Sequence, residues 1–131
     1  MKLIKTRLGM FLTQIIHIND VAINCIIDTG SPVTMIGKKL VRPKGKTEFV
    51  DIHSLNGGKQ QSLKTKFNVE FSYPSFYASV NGGKAEEFKG NVPIIITDLK
   101  HVQENYGKKH NIRGIIGMDI ISKTNWLNLD K

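Results

Sequence analysis

Short apolar runs, bounded by Gly, Pro, Asn and Asp, recur along the whole chain, and no stretch holds the 3.6-residue period of a long helix. Phe11 to Ile18 and Val21 to Ile27 flank Asn19-Asp20, a two-residue turn signal that predicts a β-hairpin. Glu48 to Leu55 and Lys59 to Phe71 flank Asn56-Gly57-Gly58, which predicts a second hairpin because Asn-Gly accepts positive φ. Asn91 to Thr97, entered through Pro93, and Ile112 to Ile116 predict two further strands, and Trp126 to Leu129 a terminal one. Met1 to Arg7 is compatible with an added edge strand. The polar stretch Asp98 to Asn111 predicts one helical turn, and Gly117 to Asn125 a short helix with Ile120 and Ile121 inward. Asn81-Gly82-Gly83-Lys84 repeats Asn56-Gly57-Gly58-Lys59, but neither tetrapeptide stands between a strand and a helix, so both read as turns, not phosphate loops. The expectation is one all-β domain spanning 1–131, with no linker.

One stretch does not fit a plain strand pattern. Ile26-Ile27-Asp28-Thr29-Gly30-Ser31-Pro32-Val33-Thr34-Met35-Ile36 runs apolar into an Asp, breaks at a Gly and resumes apolar. A carboxylate is thereby placed on a tight turn at the end of a buried strand. Alternation puts Ile26 on the face of Asp28, and Ile23, Cys25 and Ile27 on the other. Cys25 then reads as a small buried apolar residue, with no local signature of a nucleophile.

Composition adds exclusions. The chain has 131 residues, enough for one domain with a modest core. No apolar run approaches the length of a membrane-spanning helix, so no membrane partner is expected. Met1-Lys2-Leu3-Ile4-Lys5-Thr6-Arg7 is too interrupted by charge for a signal peptide, and the one cysteine, Cys25, excludes an intrachain disulfide framework. A reducing, intracellular setting is the expectation. The net charge of +8 raises a nucleic-acid surface, but the lysines are scattered without aromatic platforms, so a solvated exterior is the better reading. His17, His53, His101 and His110 show no metal-ligand spacing, and neither a metal nor another cofactor is expected.

A second stretch lies far downstream: Ile112-Arg113-Gly114-Ile115-Ile116-Gly117-Met118-Asp119-Ile120-Ile121. With the Asp28 stretch and the Asn56-Gly57-Gly58 hairpin it resembles the retropepsin family, the aspartic proteases of retroviruses and LTR retrotransposons. There, apolar-apolar-Asp-Thr-Gly-Ser/Ala is followed by a glycine-tipped flap, then by apolar-apolar-Gly before a short helix. The resemblance covers nearly the whole chain. It implies a closed, barrel-like acid-protease fold with a flap hairpin and one short C-terminal helix. It implies a homodimeric endopeptidase acting on a peptide or retroelement-type polyprotein, with water activated between two Asp28 carboxylates. This chain has one Asp-Thr-Gly and is too short for two lobes, so a C2 dimer would supply the second carboxylate.

By the same resemblance, Thr29 would bond the opposite subunit's loop, and Gly30 would let the backbone approach substrate. Ile26 and Met35 would line side-chain pockets, Ile115 would face substrate, and Asn56, Gly57 and Gly58 would be flap-tip contacts. The hydroxyl of Ser31 would donate to Asp28, favouring its charged form and a mildly acidic activity optimum. N- and C-terminal strands of both subunits would interleave. Retroviral members commonly pair an acid after the signature with an arginine after apolar-apolar-Gly. Here those positions hold Pro32 and Met118, so a non-ionic loop contact is the expected replacement. The competing reading is a non-catalytic module that keeps the fold for dimerisation or peptide capture.

Overall fold

A computed structural model describes residues 1–6, 8–53, 59–74 and 84–126. The described residues form a mostly β structure. The strands are β1 (Lys2–Thr6), β2 (Gly9–Ile18), β3 (Val21–Ile27), β4 (Met35–Gly37), β5 (Thr47–His53), β6 (Lys59–Tyr73), β7 (Glu86–Thr97) and β8 (Gly114–Ile116). Helix α1 (Lys100–Tyr106) and a 3-10 turn (Lys108–His110) precede β8, and α2 (Met118–Ile121) follows it. The strands make one mixed sheet in the order β1-β2-β3-β8-β4-β7-β6-β5. The sheet curls until β2 also meets β6, at His17↔Glu70 and Ile18↔Val69.

The β2–β3 hairpin turns as its sequence demands. Ile18 pairs with Val21, and Asn19 and Asp20 both take positive φ (49° and 65°), the backbone of a tight two-residue turn. Along β6, Phe67, Val69, Phe71 and Tyr73 point inward while Asn68, Glu70 and Ser72 point out. With Ile16, Ile18, Ile23, Cys25, Ile36 and Ile94, among others, they build the main core. Its far end is aromatic: Phe71 stacks on Phe88 at 5.2 Å and on Trp126 at 5.4 Å, and Tyr73 lies 5.0 Å from Trp126. A smaller cluster on the other face joins Ile4, Ile26 and Ile112 to Phe11, Val102 and Tyr106.

Four expectations need correction. β7 begins at Glu86, not Asn91, and Pro93 lies inside it. Proline is tolerated there because β4 borders β7 only at Ile95 to Thr97, so the opposite edge is open at Pro93. Second, the polar stretch before β8 is more than a turn. α1 is a full seven-residue helix, held by Val102 and Tyr106, which lie four residues apart and dock on the smaller cluster. The short C-terminal helix, α2, is thus one of two helices among the described residues. Third, Ile112 precedes β8 and is fully buried, not part of the strand. Fourth, Trp126 is a turn residue buried in the core of its own chain, not the start of a strand; the rest of the expected terminal strand lies outside the described residues. The flap residues Asn56, Gly57 and Gly58 also lie outside them, although β5 and β6 pair below that point from Thr47↔Thr65 to His53↔Lys59.

Trp126→Ala should therefore destabilise the fold by about 3–5 kcal/mol, the usual cost of emptying a buried aromatic site. The urea midpoint followed by circular dichroism checks this, since the substitution removes the chain's one tryptophan fluorophore.

Candidate functional site

Asp28 stands at the C-terminal end of β3, immediately after Ile27 pairs in parallel with Ile116. Its backbone N–H donates to the Ile116 carbonyl at 2.9 Å, so β8 holds the strand end in place. Its side chain is half-exposed, and Oδ1 accepts the Gly30 N–H at 2.9 Å. A Cβ on Gly30 would come within 3.1 Å of that oxygen, so the glycine keeps the turn tight against the carboxylate. Among the described residues Oδ2 accepts no hydrogen bond, which leaves one carboxylate oxygen available to a ligand or water. Thr29 is exposed, and its side chain makes no hydrogen bond among the described residues.

A clasp from β8 and α2 holds the rest of the loop. Thr34 is fully buried. Its hydroxyl donates to Asp119 Oδ1 at 2.7 Å and accepts the Gly117 N–H at 3.1 Å. Its backbone N–H donates to Asp119 Oδ2 at 3.1 Å. Asp119 Oδ1 also accepts the Ile120 N–H at 2.8 Å, and the Met118 N–H donates to the Ser31 carbonyl at 2.7 Å. A Cβ on Gly117 would collide with the Val33 carbonyl, so only glycine permits this approach. Sequence reasoning missed Asp119 and Thr34. The available signal was one acid inside the apolar run Ile115 to Ile121, opposite a lone hydroxyl in Val33 to Ile36. The clasp has one charged partner and no cation, so it differs from both an ion pair and a wholly non-ionic contact.

Ser31 supports the loop, but not as expected. Its hydroxyl donates to the Val33 carbonyl at 2.7 Å. A hydroxyl has one proton, so in this arrangement it is not given to Asp28. The acceptor is the carbonyl two residues ahead in the same turn, a local bond common for serine in turns.

The predicted pocket residues fall in one line. Ile26 pairs with Ile115, Ile115 with Met35, and Met35 with Ile95. Directly paired residues share a face, so the four form an apolar row across β3, β8, β4 and β7 on the face of Asp28. Met35 is half-buried, whereas Ile26 and Ile115 are 1% and 9% exposed. In the single chain those two act as floor, with little open surface of their own. On the opposite face Cys25 is fully buried, and burial pushes its thiol far above the ordinary range, so it remains an inert core group.

Tyr106 was not anticipated. It packs edge-on to Phe11 at 4.8 Å over the Ile26 cluster. Burial raises its phenol pKa, and the negative charge of Asp28 raises it further. Among the described residues no group of His, Cys, Asp and Glu could hold a metal ion. No helix among them is long and apolar enough to cross a membrane.

No protein-family model matches the chain, and no curated protein does either.

Asp28→Asn removes the charge that opposes ionisation of Tyr106 but keeps an oxygen to accept the Gly30 N–H. The phenol pKa of Tyr106 should consequently fall in that variant while remaining above its ordinary value, because the larger cause, burial, persists. NMR titration with isotope-labelled tyrosine, assigned through Tyr106→Phe, checks the direction.

Proposed function

We propose that this chain is one half of a homodimeric aspartic endopeptidase with a closed, barrel-like acid-protease fold. The observation that carries the reading is Asp28 itself: a half-exposed carboxylate on a clasped turn beside an apolar row. A peptide has the matching chemistry, with an amide carbonyl to polarise and apolar side chains to seat along Ile115 and Met35. Peptide hydrolysis by an aspartic protease needs two carboxylates about one water. One, ionised, takes a proton from the water; the other, protonated, hydrogen-bonds the substrate carbonyl. At such short range both cannot ionise, and the pair shares a proton, as in the aspartic-protease dyad.

The second carboxylate is Asp28 of a second copy. Its docking is favoured by an apolar surface next to the loop. Thr13↔Ile26 is the last β2–β3 pair and Lys2 pairs with Thr13, so β2 before Thr13 and β1 after Lys2 project past that pair, at the Asp28 end of β3. There Leu3 and Leu12 face each other across the ladder, and both are exposed, as is Met10. A pair of loops meeting on a two-fold axis brings the exposed Thr29 of each toward the other. The substrate in this reading is a polyprotein of retroelement type, cleaved in an extended conformation beneath the β5–β6 hairpin.

Asp28→Asn should abolish peptide hydrolysis, because one substitution removes both carboxylates of the dyad. Fold and dimer should persist, since the amide oxygen still accepts the Gly30 N–H. Cleavage of a peptide library by the two forms, beside their sedimentation, is the test; residual activity above about one per cent would place the chemistry elsewhere.

A further inference from the structure

The apolar row has an end wall supplied by α1. Ile26, Ile115, Met35 and Ile95 run side by side across the sheet, and α1 covers the β3 end of the row. Tyr106, its last residue, packs against the cluster of Ile4, Ile26 and Ile112, with its ring edge-on to Phe11. Asp28 lies two residues past Ile26 on that face, close enough for its charge to act on the phenol. Tyr106 is half-buried, so part of the ring is open. Its hydroxyl makes no hydrogen bond among the described residues, and a phenylalanine would pack on Phe11 as well. Packing of α1 therefore accounts for a ring at this position but not for the phenol group.

We propose that Tyr106 is a specificity-determining residue, one wall of the pocket that seats the apolar side chain of the peptide residue beside the scissile bond. This rests on the reading of Asp28 as the catalytic carboxylate. The half-buried ring, packed on the cluster that holds Ile26, would bound the size of a side chain seated at the β3 end of the row. A wall of this kind discriminates by size, by tens of fold and no more, because it presents contact surface without fixed polar partners.

The test compares wild type, Tyr106→Phe and Tyr106→Ala on peptides that differ only in the residue flanking the scissile bond: Ala, Leu, Phe or Trp. Both kcat/KM and, in an Asp28→Asn background, Kd are measured. Tyr106→Ala should raise the ratio of Trp to Leu peptides about tenfold in both quantities. Tyr106→Phe should keep the wild-type ranking, since the ring remains. A uniform loss across all four peptides, or no change, would overturn the proposal, because a purely structural role does not reorder substrates. Wild type that cleaves nothing refutes the catalytic reading; the Tyr106 inference then stands only if Kd values reorder as stated. Absence of binding by any of the peptides overturns both.

Discussion

Asp119 holding Thr34 is the contact on which the rest of the site depends. Thr34 has no exposed surface, and its hydroxyl and backbone N–H both end on one carboxylate. Hydrogen bonds to a charged acceptor contribute about 1.5–3 kcal/mol each, more than neutral ones. Without Asp119 two buried donors would be left unpaired, and the turn from Asp28 to Met35 would lose its anchor. The topology makes this anchor necessary. β8 lies between β3, which it meets in parallel, and β4, which it meets antiparallel. The chain must therefore leave β3, pass around the end of β8 and return on its other side. Gly117 permits the crossing because its missing side chain lets α2 begin against the Val33 carbonyl.

With the loop fixed, the two faces of β3 take different tasks. One face carries Ile23 and Cys25 into the main core, which the long β6–β7 ladder encloses. The other carries Ile26 and then Asp28, with α1 over the first and solvent over the second. A carboxylate two residues from a fully buried isoleucine is held by rigid backbone yet remains accessible. This is the arrangement that a precisely placed acid requires: strand geometry sets the face of Asp28, and the Thr34–Asp119 clasp holds its turn.

What the sequence conveyed was local. Asn19-Asp20 announced its turn because two adjacent residues had to accept positive φ, and the Asp28 turn because Gly30 interrupts two apolar runs. What it concealed was settled at a distance. Asp119 and Thr34 are 85 residues apart, and neither has a pattern that names the other. The stretch of α1 reads as no more than a turn because a seven-residue helix is marginal by itself, and docking of Val102 and Tyr106 sustains it. The sequence starts the strand at Asn91, entered through Pro93, whereas β7 reaches back to Glu86 because the edge beside the proline is open. The resemblance points the Ser31 hydroxyl at Asp28, whereas the Val33 carbonyl in its own turn takes the hydroxyl proton.

The central claim is that one active site is made from two copies of Asp28. Mixing subunits tests it most directly. Wild type and Asp28→Asn protein are combined in varying ratio at constant total concentration, equilibrated and assayed on a peptide substrate. If each site needs both carboxylates, activity falls with the square of the wild-type fraction, because only dimers with two intact subunits cleave. A linear decline would mean that one chain carries a complete site, and would contradict the account.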